Sequence, residues 1–206
     1  MNQKDIIHFL YSLYGDISPA TISISCRKKH GIYDNLSLVY GESHLPSLYE
    51  LFNEINPRSG EIFYDLGSGS GRLVLYAALS FPFAKCIGIE LLDDLINVAQ
   101  IKLELCKKEL PDLSGFDANK LGEIDFIQAD FIRVDLSTAN VVYIASTCFN
   151  DEFMYNLALH LEKQLVIGTR IITFSRPLLA KKIKITKSKI YPMEWGKVTI
   201  FFHEKI

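Results

Sequence analysis

A run of glycines is the strongest chemical signal in this sequence. The loop Asp65-Leu66-Gly67-Ser68-Gly69-Ser70-Gly71 follows a short apolar run, Glu61–Leu66, and precedes an apolar segment that begins at Arg72. Glycines at such a turn let the backbone bend sharply, and they let a ligand approach main-chain atoms without interference from a Cβ atom. The loop therefore predicts a binding site for a nucleotide-like cofactor between a strand and a helix.

The acidic residues near this loop discriminate between cofactor classes. Glu90 ends the next predicted strand, where a carboxylate can accept hydrogen bonds from ribose hydroxyls. Dinucleotide-binding loops have the spacing G-x-G-x-x-G and hold pyrophosphate at a helix N-terminus, whereas this loop reads G-x-G-x-G and follows an acid, Asp65. An acid there would repel pyrophosphate and suits S-adenosylmethionine, which carries an ammonium and a sulfonium but no phosphate. A P-loop is excluded because no Gly-Lys-Ser/Thr follows.

Two further segments complete the pattern. Gln128-Ala129-Asp130-Phe131 follows the third predicted strand, and Val39-Tyr40-Gly41-Glu42-Ser43 lies upstream of the first. The glycine loop resembles the first motif of class I S-adenosylmethionine-dependent methyltransferases. In that class the acid after the third strand accepts a hydrogen bond from the adenine amino group, and an apolar neighbour covers the ring. The resemblance implies these roles for Asp130 and Phe131.

The motifs in this order resemble the Dot-one-like (disruptor of telomeric silencing) family of protein lysine methyltransferases, over about residues 36–206 and discontinuously. In that family the Tyr-Gly-Glu loop folds over the methionine end of the cofactor. Glu42 would then pair with the cofactor ammonium or with Arg72, and Ser43 would donate to the cofactor carboxylate. The resemblance implies S-adenosylmethionine as cofactor, a protein lysine as acceptor, and cofactor contacts from Tyr40, Gly41, Glu42, Ser43, Asp65, Gly67, Ser68, Gly69, Gly71, Arg72, Glu90, Asp130 and Phe131.

The sequence departs from this family at several places, two of which bear on the predicted site. Histone-specific members carry Asn-Asn-Phe-Ala-Phe-Gly after the fourth strand, whereas this chain has Ala145-Ser-Thr-Cys-Phe-Asn150. Arg72 stands where the family usually has Gln beside the cofactor carboxylate. These changes leave the predicted cofactor unaffected but do not support a histone substrate.

Methyl transfer to an amine is an in-line displacement from a good leaving group, so the protein mainly aligns the reactants and dehydrates a neutral lysine. No general base is required, and we assign no catalytic residue. Candidates for an apolar acceptor channel are Tyr40, Phe149 and Trp195. Ser146 and Thr147 are candidates to orient the amine in that channel through a hydroxyl or a carbonyl. The motif Asn/Asp-Pro-Pro-Tyr/Phe of enzymes that methylate nucleobase amino groups does not follow the fourth predicted strand, which argues against such acceptors.

Hydrophobic periodicity predicts the elements that position these residues. Strands alternating with helices indicate parallel βαβ units, and two β-rich runs near the end indicate a closing hairpin. We expect an α/β, Rossmann-like class I fold with a seven-stranded, mostly parallel sheet and a C-terminal antiparallel hairpin. We expect one domain over 1–206, with an N-terminal helix and cofactor-covering loop in 1–43 and the core in 44–206. Residues 15–43 show no clear period, Pro111–Lys120 reads as a loop, and Asp151 is a candidate helix cap.

Composition excludes several classes of protein. The 206 residues are 49% hydrophobic and carry a formal net charge of −2, so net charge predicts neither nucleic-acid nor membrane binding. Four cysteines without a CxxC pair indicate reduced thiols and a cytoplasmic location. His30 lies four residues after Cys26, but no second ligand pair accompanies them, so we expect no metal site.

The lysines of Lys181–Lys189 form the one basic cluster. They suit a charged edge strand that resists aggregation, or a docking face for an acidic protein or RNA. Two alternatives to protein lysine methylation remain open at this point: a small-molecule or RNA methyltransferase with the same cofactor half, and a non-catalytic cofactor-binding module that recruits a partner.

Overall fold

Seven strands form one sheet in the computed structural model, which describes residues 2–112, 115, 122–193 and 196–206. The strands are β1 (Ile62–Leu66), β2 (Lys85–Glu90), β3 (Glu123–Gln128), β4 (Val141–Ile144), β5 (Arg170–Phe174), β6 (Ile183–Met193) and β7 (Gly196–Lys205). Their order is β3-β2-β1-β4-β5-β7-β6. β3, β2, β1, β4 and β5 are parallel, and β7 pairs antiparallel with both β5 and β6. The predicted fold class is confirmed.

Six α-helices accompany the sheet in the described residues: α1 (Gln3–Tyr14), α2 (Pro19–Lys29), α3 (Leu45–Ile55), α4 (Arg72–Ser80), α5 (Asp93–Glu109) and α6 (Asp151–Gln164). None of these helices is long and apolar enough to cross a membrane. The cap of α6 is Asn150, whose side chain accepts from the Phe153 amide, so the expectation that Asp151 caps it is wrong. The expected loop Pro111–Lys120 lies mostly outside the described residues.

Helix α2 lies within 15–43, where the sequence predicted no regular element. Its apolar residues do not form a periodic stripe, since the positions it buries are Ser23, Cys26 and Arg27. The local signals were nevertheless present: the Ser18 side chain accepts from the Thr21 amide, and Pro19 occupies the first turn, where a missing N–H has no cost. Capping chemistry, rather than periodicity, identifies this helix.

Apolar layers on both faces of the sheet hold the strand ends in place. On one face α1, α3 and α4 pack against β1 and β4, and the Phe52 ring stacks on the Tyr143 ring with centroids 6.3 Å apart. On the other face, Leu157 and Leu161 of α6 pack against the same strands. The strand order reverses between β1 and β4, and ligands of open α/β sheets bind at the carboxyl ends of the strands beside such a point.

Gly71 leads into α4 and leaves no room for a side chain. Its φ is +80°, and a Cβ atom there would lie 2.5 Å from Cζ of Phe126 and 2.9 Å from Cβ of Ala99. Gly31 provides a matched comparison, because its φ is +69° but no atom of the described residues lies within 4 Å of the corresponding Cβ position.

We expect Gly31→Ala to lower the free energy of unfolding by about 1–2 kcal/mol, the cost of left-handed backbone in an L-residue. Gly71→Ala should lower it by an additional ~1–3 kcal/mol, because the new methyl group overpacks the contact with Phe126. Urea denaturation of both variants measures the difference. Equal losses would contradict the tight contact.

Candidate active site

A cavity of about 730 Å³ opens at the carboxyl edge of β1, β2 and β4, within the ordinary size range of small-molecule sites. Most of the predicted cofactor contacts line it, although they come from four separate parts of the chain. The predicted residues in its wall are Tyr40, Gly41, Glu42, Ser43, Asp65, Gly67, Ser68, Gly69, Arg72, Glu90, Asp130, Phe131 and Phe149. Gly71 is not in the wall and acts through the backbone at the start of α4.

The glycine loop is fastened to the neighbouring strand. The amides of Gly67 and Ser68 both donate to the Ile89 carbonyl, at 2.8 and 3.0 Å. Gly69 has a φ of +55°, and a Cβ atom there would lie 2.5 Å from Cε2 of Tyr40. The absence of a side chain therefore lets the Tyr40 ring lie directly on the loop.

Backbone amides hold the Glu90 carboxylate rigidly. Oε2 accepts from the Gly69 amide at 2.9 Å, and Oε1 accepts from the amides of Leu91 and Leu92 at 2.8 and 2.9 Å. Burial raises the pKa of Glu90, while the amides oppose that rise. A carboxylate oxygen can accept two hydrogen bonds, so Oε2 keeps capacity for a ligand hydroxyl.

Asp65 places a second buried carboxyl in the same cavity. Burial, and the nearby charge of Glu90, raise its pKa well above the ordinary value. In the part of the chain that the structure describes, neither carboxyl has an ion-pair partner, and the buried hydroxyl of Ser68 has no hydrogen-bond partner. Two buried acids without a cation disfavour an anionic ligand and favour a cationic one.

The segment Tyr40–Ser43, here called the lid, closes over the glycine loop. Glu42 forms an ion pair with Arg72, and their side chains are only 15% and 11% exposed. The Tyr40 hydroxyl donates to Glu42 and lies 3.1 Å from the Ser70 hydroxyl. Of the two partners considered for Glu42, Arg72 is therefore the one that the structure places against it.

The lid also reaches the sheet. Arg72 donates to the Ser43 carbonyl at 3.3 Å, and the Ser43 hydroxyl lies 2.7 Å from that of Tyr143 on β4. Burial raises the pKa of Tyr143 well above its ordinary value. Sequence reasoning could not identify Tyr143 as a site residue, because it lies in an apolar run that reads only as core.

Three aromatic rings form the opposite wall. The Phe131 centroid lies 6.3 Å from that of Phe149 and 6.1 Å from that of Phe153, and the last two are 4.7 Å apart. Asp130 is half exposed beside them, and its Oδ1 accepts from the Ile132 amide at 3.1 Å. Phe153 was not predicted, although its position four residues after Phe149 is a signal that could have found it.

The remaining channel candidates do not share this wall. The Ser146 hydroxyl is buried, donates to the Phe174 carbonyl at 2.9 Å and accepts from the Phe174 amide at 3.0 Å. Ser146 does not line the cavity, which is at odds with the predicted contact with the acceptor amine. Its hydroxyl instead connects the end of β4 to β5. Thr147 lines the cavity. Trp195 lies outside the described residues.

Comparison with known proteins places this arrangement in a family. The family model "Histone methylation protein DOT1" matches residues 21–195. The chain belongs to the DOT1 family. The resemblance predicted from the Tyr-Gly-Glu lid and the glycine loop is thereby confirmed.

The relatives of this chain differ in length and in name. The chain is 33% identical to a histone-lysine N-methyltransferase, H3 lysine-79 specific, of Caenorhabditis elegans. The aligned region of 155 residues covers 73% of this chain and 16% of that protein. It is 32% identical to a protein-lysine N-methyltransferase of Saccharolobus islandicus, and the aligned region of 114 residues covers 55% of this chain and 61% of that protein. The chain thus matches less than two thirds of each of these relatives.

Solved structures support the fold of this DOT1-family chain. An RNA methyltransferase from Salinibacter ruber, in complex with S-adenosyl-L-homocysteine, aligns with a TM-score of 0.61 at 22% identity. The alignment covers 80% of this chain and 93% of the other chain. TrmN from Thermus thermophilus aligns with a TM-score of 0.60 at 17% identity and covers 77% of this chain and 48% of its own. At these identities the likeness shows the class I methyltransferase fold alone.

The two raised carboxyl pKa values predict a pH dependence of ligand binding. A buried carboxyl with a raised pKa takes up its proton at a higher pH than a free one, and protonation removes the negative charge that a cationic ligand needs. We expect the affinity for S-adenosylmethionine, measured by calorimetry, to fall as the pH is lowered from neutrality, and to begin to fall above the usual carboxyl range near 4. Asp65→Asn should bind more weakly at pH 7 and lose part of this dependence. An affinity that is flat from neutrality down to the usual carboxyl range in the unaltered protein would contradict the assignment.

Proposed function

We propose that this chain is an S-adenosylmethionine-dependent methyltransferase that acts on lysine side chains of a protein. The observation that carries the proposal is the pair of buried carboxyls, Asp65 and Glu90, that face one cavity under the lid and have no cationic partner among the described residues. Membership of the DOT1 family supports the acceptor class, since the relatives above are named as histone-lysine and protein-lysine N-methyltransferases.

The residues of the cavity fit this cofactor. Glu90 would accept from the ribose hydroxyls, Asp65 would offset the positive charges, and Asp130 with Phe131 would hold the adenine. The unpaired Ser68 hydroxyl offers a further polar contact in the same wall. When bound, the cofactor supplies an electrophilic methyl group on its sulfonium.

The chain's own residues would then position the amine and exclude water. The lid covers the loop, and the aromatic wall of Phe131, Phe149 and Phe153 supplies an apolar surface. Burial keeps the hydroxyls of Tyr40 and Tyr143 protonated at neutral pH, since the pKa of each is raised. The two hydroxyls can therefore orient a substrate group by hydrogen bonds, but they do not act as ionised bases. This suits a methyl transfer, which requires alignment of the reactants and a neutral amine.

We infer a protein other than a histone as the substrate. The segment Ala145–Asn150 lacks the paired asparagines of the histone-specific pattern, and one relative is named only as a protein-lysine methyltransferase. Two lysines of the basic cluster, Lys187 and Lys189 on β6, pair with Glu54 of α3. These pairs support the interpretation of the cluster as a charged edge strand. Four free cysteines support the proposed cytoplasmic location.

The acceptor is tested with a methyl-labelled cofactor and a cell lysate. We expect label in a band that survives RNase, is destroyed by protease, and yields methyl-lysine on hydrolysis. The rate should rise with pH, because a free lysine amine has a pKa near 10.4 and only its neutral form attacks. Label in RNA or in a small metabolite would instead support the alternative methyltransferases. Cofactor binding without any labelled product would support a recruiting module.

The lid is tested with two glutamate variants that each break an ion pair. Glu42→Gln should reduce kcat with labelled cofactor by about ten-fold or more, equivalent to ~1.4 kcal/mol, and should weaken cofactor binding, because the lid loses its attachment to Arg72. The matched control Glu54→Gln breaks the pairs with Lys187 and Lys189, which lie away from the cavity. It should leave kcat and cofactor affinity near those of the unaltered protein. Equal effects of the two variants would contradict a role of the lid in catalysis.

A further inference from the structure

A second group of chemically active side chains lies outside the cavity wall, between α2 and the first turn of α5. Cys26 and His30 are four residues apart on α2 and its cap, and Asp93 begins α5. Asp93 Oδ1 lies 3.0 Å from Cys26 Sγ and 2.9 Å from His30 Nε2. The three ligand atoms all lie within 4.8 Å of one another.

The donor set is that of a borderline divalent metal. Zinc binds thiolate, imidazole and carboxylate at about 2.0–2.3 Å, which places the ligand atoms of a tetrahedral site about 3.3–3.6 Å apart. The distances of Cys26 and His30 from Asp93 Oδ1 are therefore shorter than in such a site by about half an ångström. A small opening of the cluster accommodates an ion, with a fourth position left for water.

The surroundings of Asp93 are compatible with an ion on this oxygen. Lys29 reaches the other oxygen, Oδ2, at 3.1 Å, so an ammonium and a metal would not compete for the same atom. The Asp94 amide donates to Oδ1 at 3.0 Å and fixes the carboxylate. Such support orients a metal-binding carboxylate. The Cys26 side chain is buried, whereas His30 is 45% exposed, which gives an ion access from one side.

We propose that Cys26, His30 and Asp93 form a binding site for a divalent transition metal, with zinc as the best fit. The sequence predicted no metal site because only the Cys26–His30 pair was visible. The third ligand lies far along the chain and reaches them only through the packing of α2 on α5. A bound ion would join the segment that precedes the lid to the helix that follows Glu90.

The test uses the full chain, stripped of metal with a chelator and titrated with Co²⁺, whose tetrahedral thiolate complexes absorb in the near-ultraviolet and visible. We expect one Co²⁺ per chain with a thiolate charge-transfer band, displaced by Zn²⁺. In parallel, Zn²⁺ at about a hundred-fold excess over its Kd should raise the melting temperature by about 5 °C or more. Cys26→Ser should abolish the band, and His30→Ala should weaken binding at least ten-fold.

Two control variants separate this site from incidental binding. Cys148→Ser removes the exposed thiol, and His8→Ala removes an exposed imidazole on α1; both should keep the band and the thermal shift. His30 lies at the surface, so His30→Ala keeps the test valid if Cys26→Ser does not fold. The proposal is overturned if the unaltered chain gives no band, or if the band survives His30→Ala at full affinity. It is also overturned if Cys148→Ser removes the band.

Discussion

The ion pair between Glu42 and Arg72 connects the two halves of the cofactor site. Glu42 belongs to the segment before the sheet, and Arg72 is the first residue of the helix that follows the glycine loop. Because both side chains are nearly covered, loss of one partner would leave a charge with little access to water, which costs far more than loss of an exposed pair. The close packing of Tyr40 on Gly69 and the contact of Ser43 with Tyr143 both depend on the lid being held in this position.

Much of this arrangement was predictable because its chemistry lies at strand ends. Asp65, Glu90 and Asp130 each follow or end an apolar run, and parallel strands bring such positions to one edge. Tyr143 and Phe153 were missed because an aromatic residue in an apolar stretch reads as core until the fold shows which ring faces the cavity. Ser146 presents the opposite case: a hydroxyl after a strand suggested contact with the acceptor, but in the structure this hydroxyl donates to and accepts from the β5 backbone.

On the proposed function, the cavity specifies the methyl donor more sharply than the acceptor. Two buried carboxyls and a glycine loop determine the sign of charge and the hydrogen bonds of the ligand that they receive. The aromatic wall excludes water and suits a neutral amine, but apolar surfaces discriminate weakly between groups that differ by little more than shape. For that reason the acceptor class rests on family membership, whereas the donor follows from the residues themselves.

Two of the attachments between the segment before the sheet and the core lie at helix starts. The lid is bound to Arg72 at the start of α4, and α2 is bound to Asp93 at the start of α5. Both helices begin directly after a strand end that contributes to the cofactor cavity, at the glycine loop and at Glu90. Rearrangement of either strand end by a ligand would therefore be transmitted to the segment that covers it. On the proposed function, firmer attachment of α2 to Asp93 would hold the chain that leads into the lid, and would favour the closed arrangement of the cavity in which an acceptor amine is dehydrated.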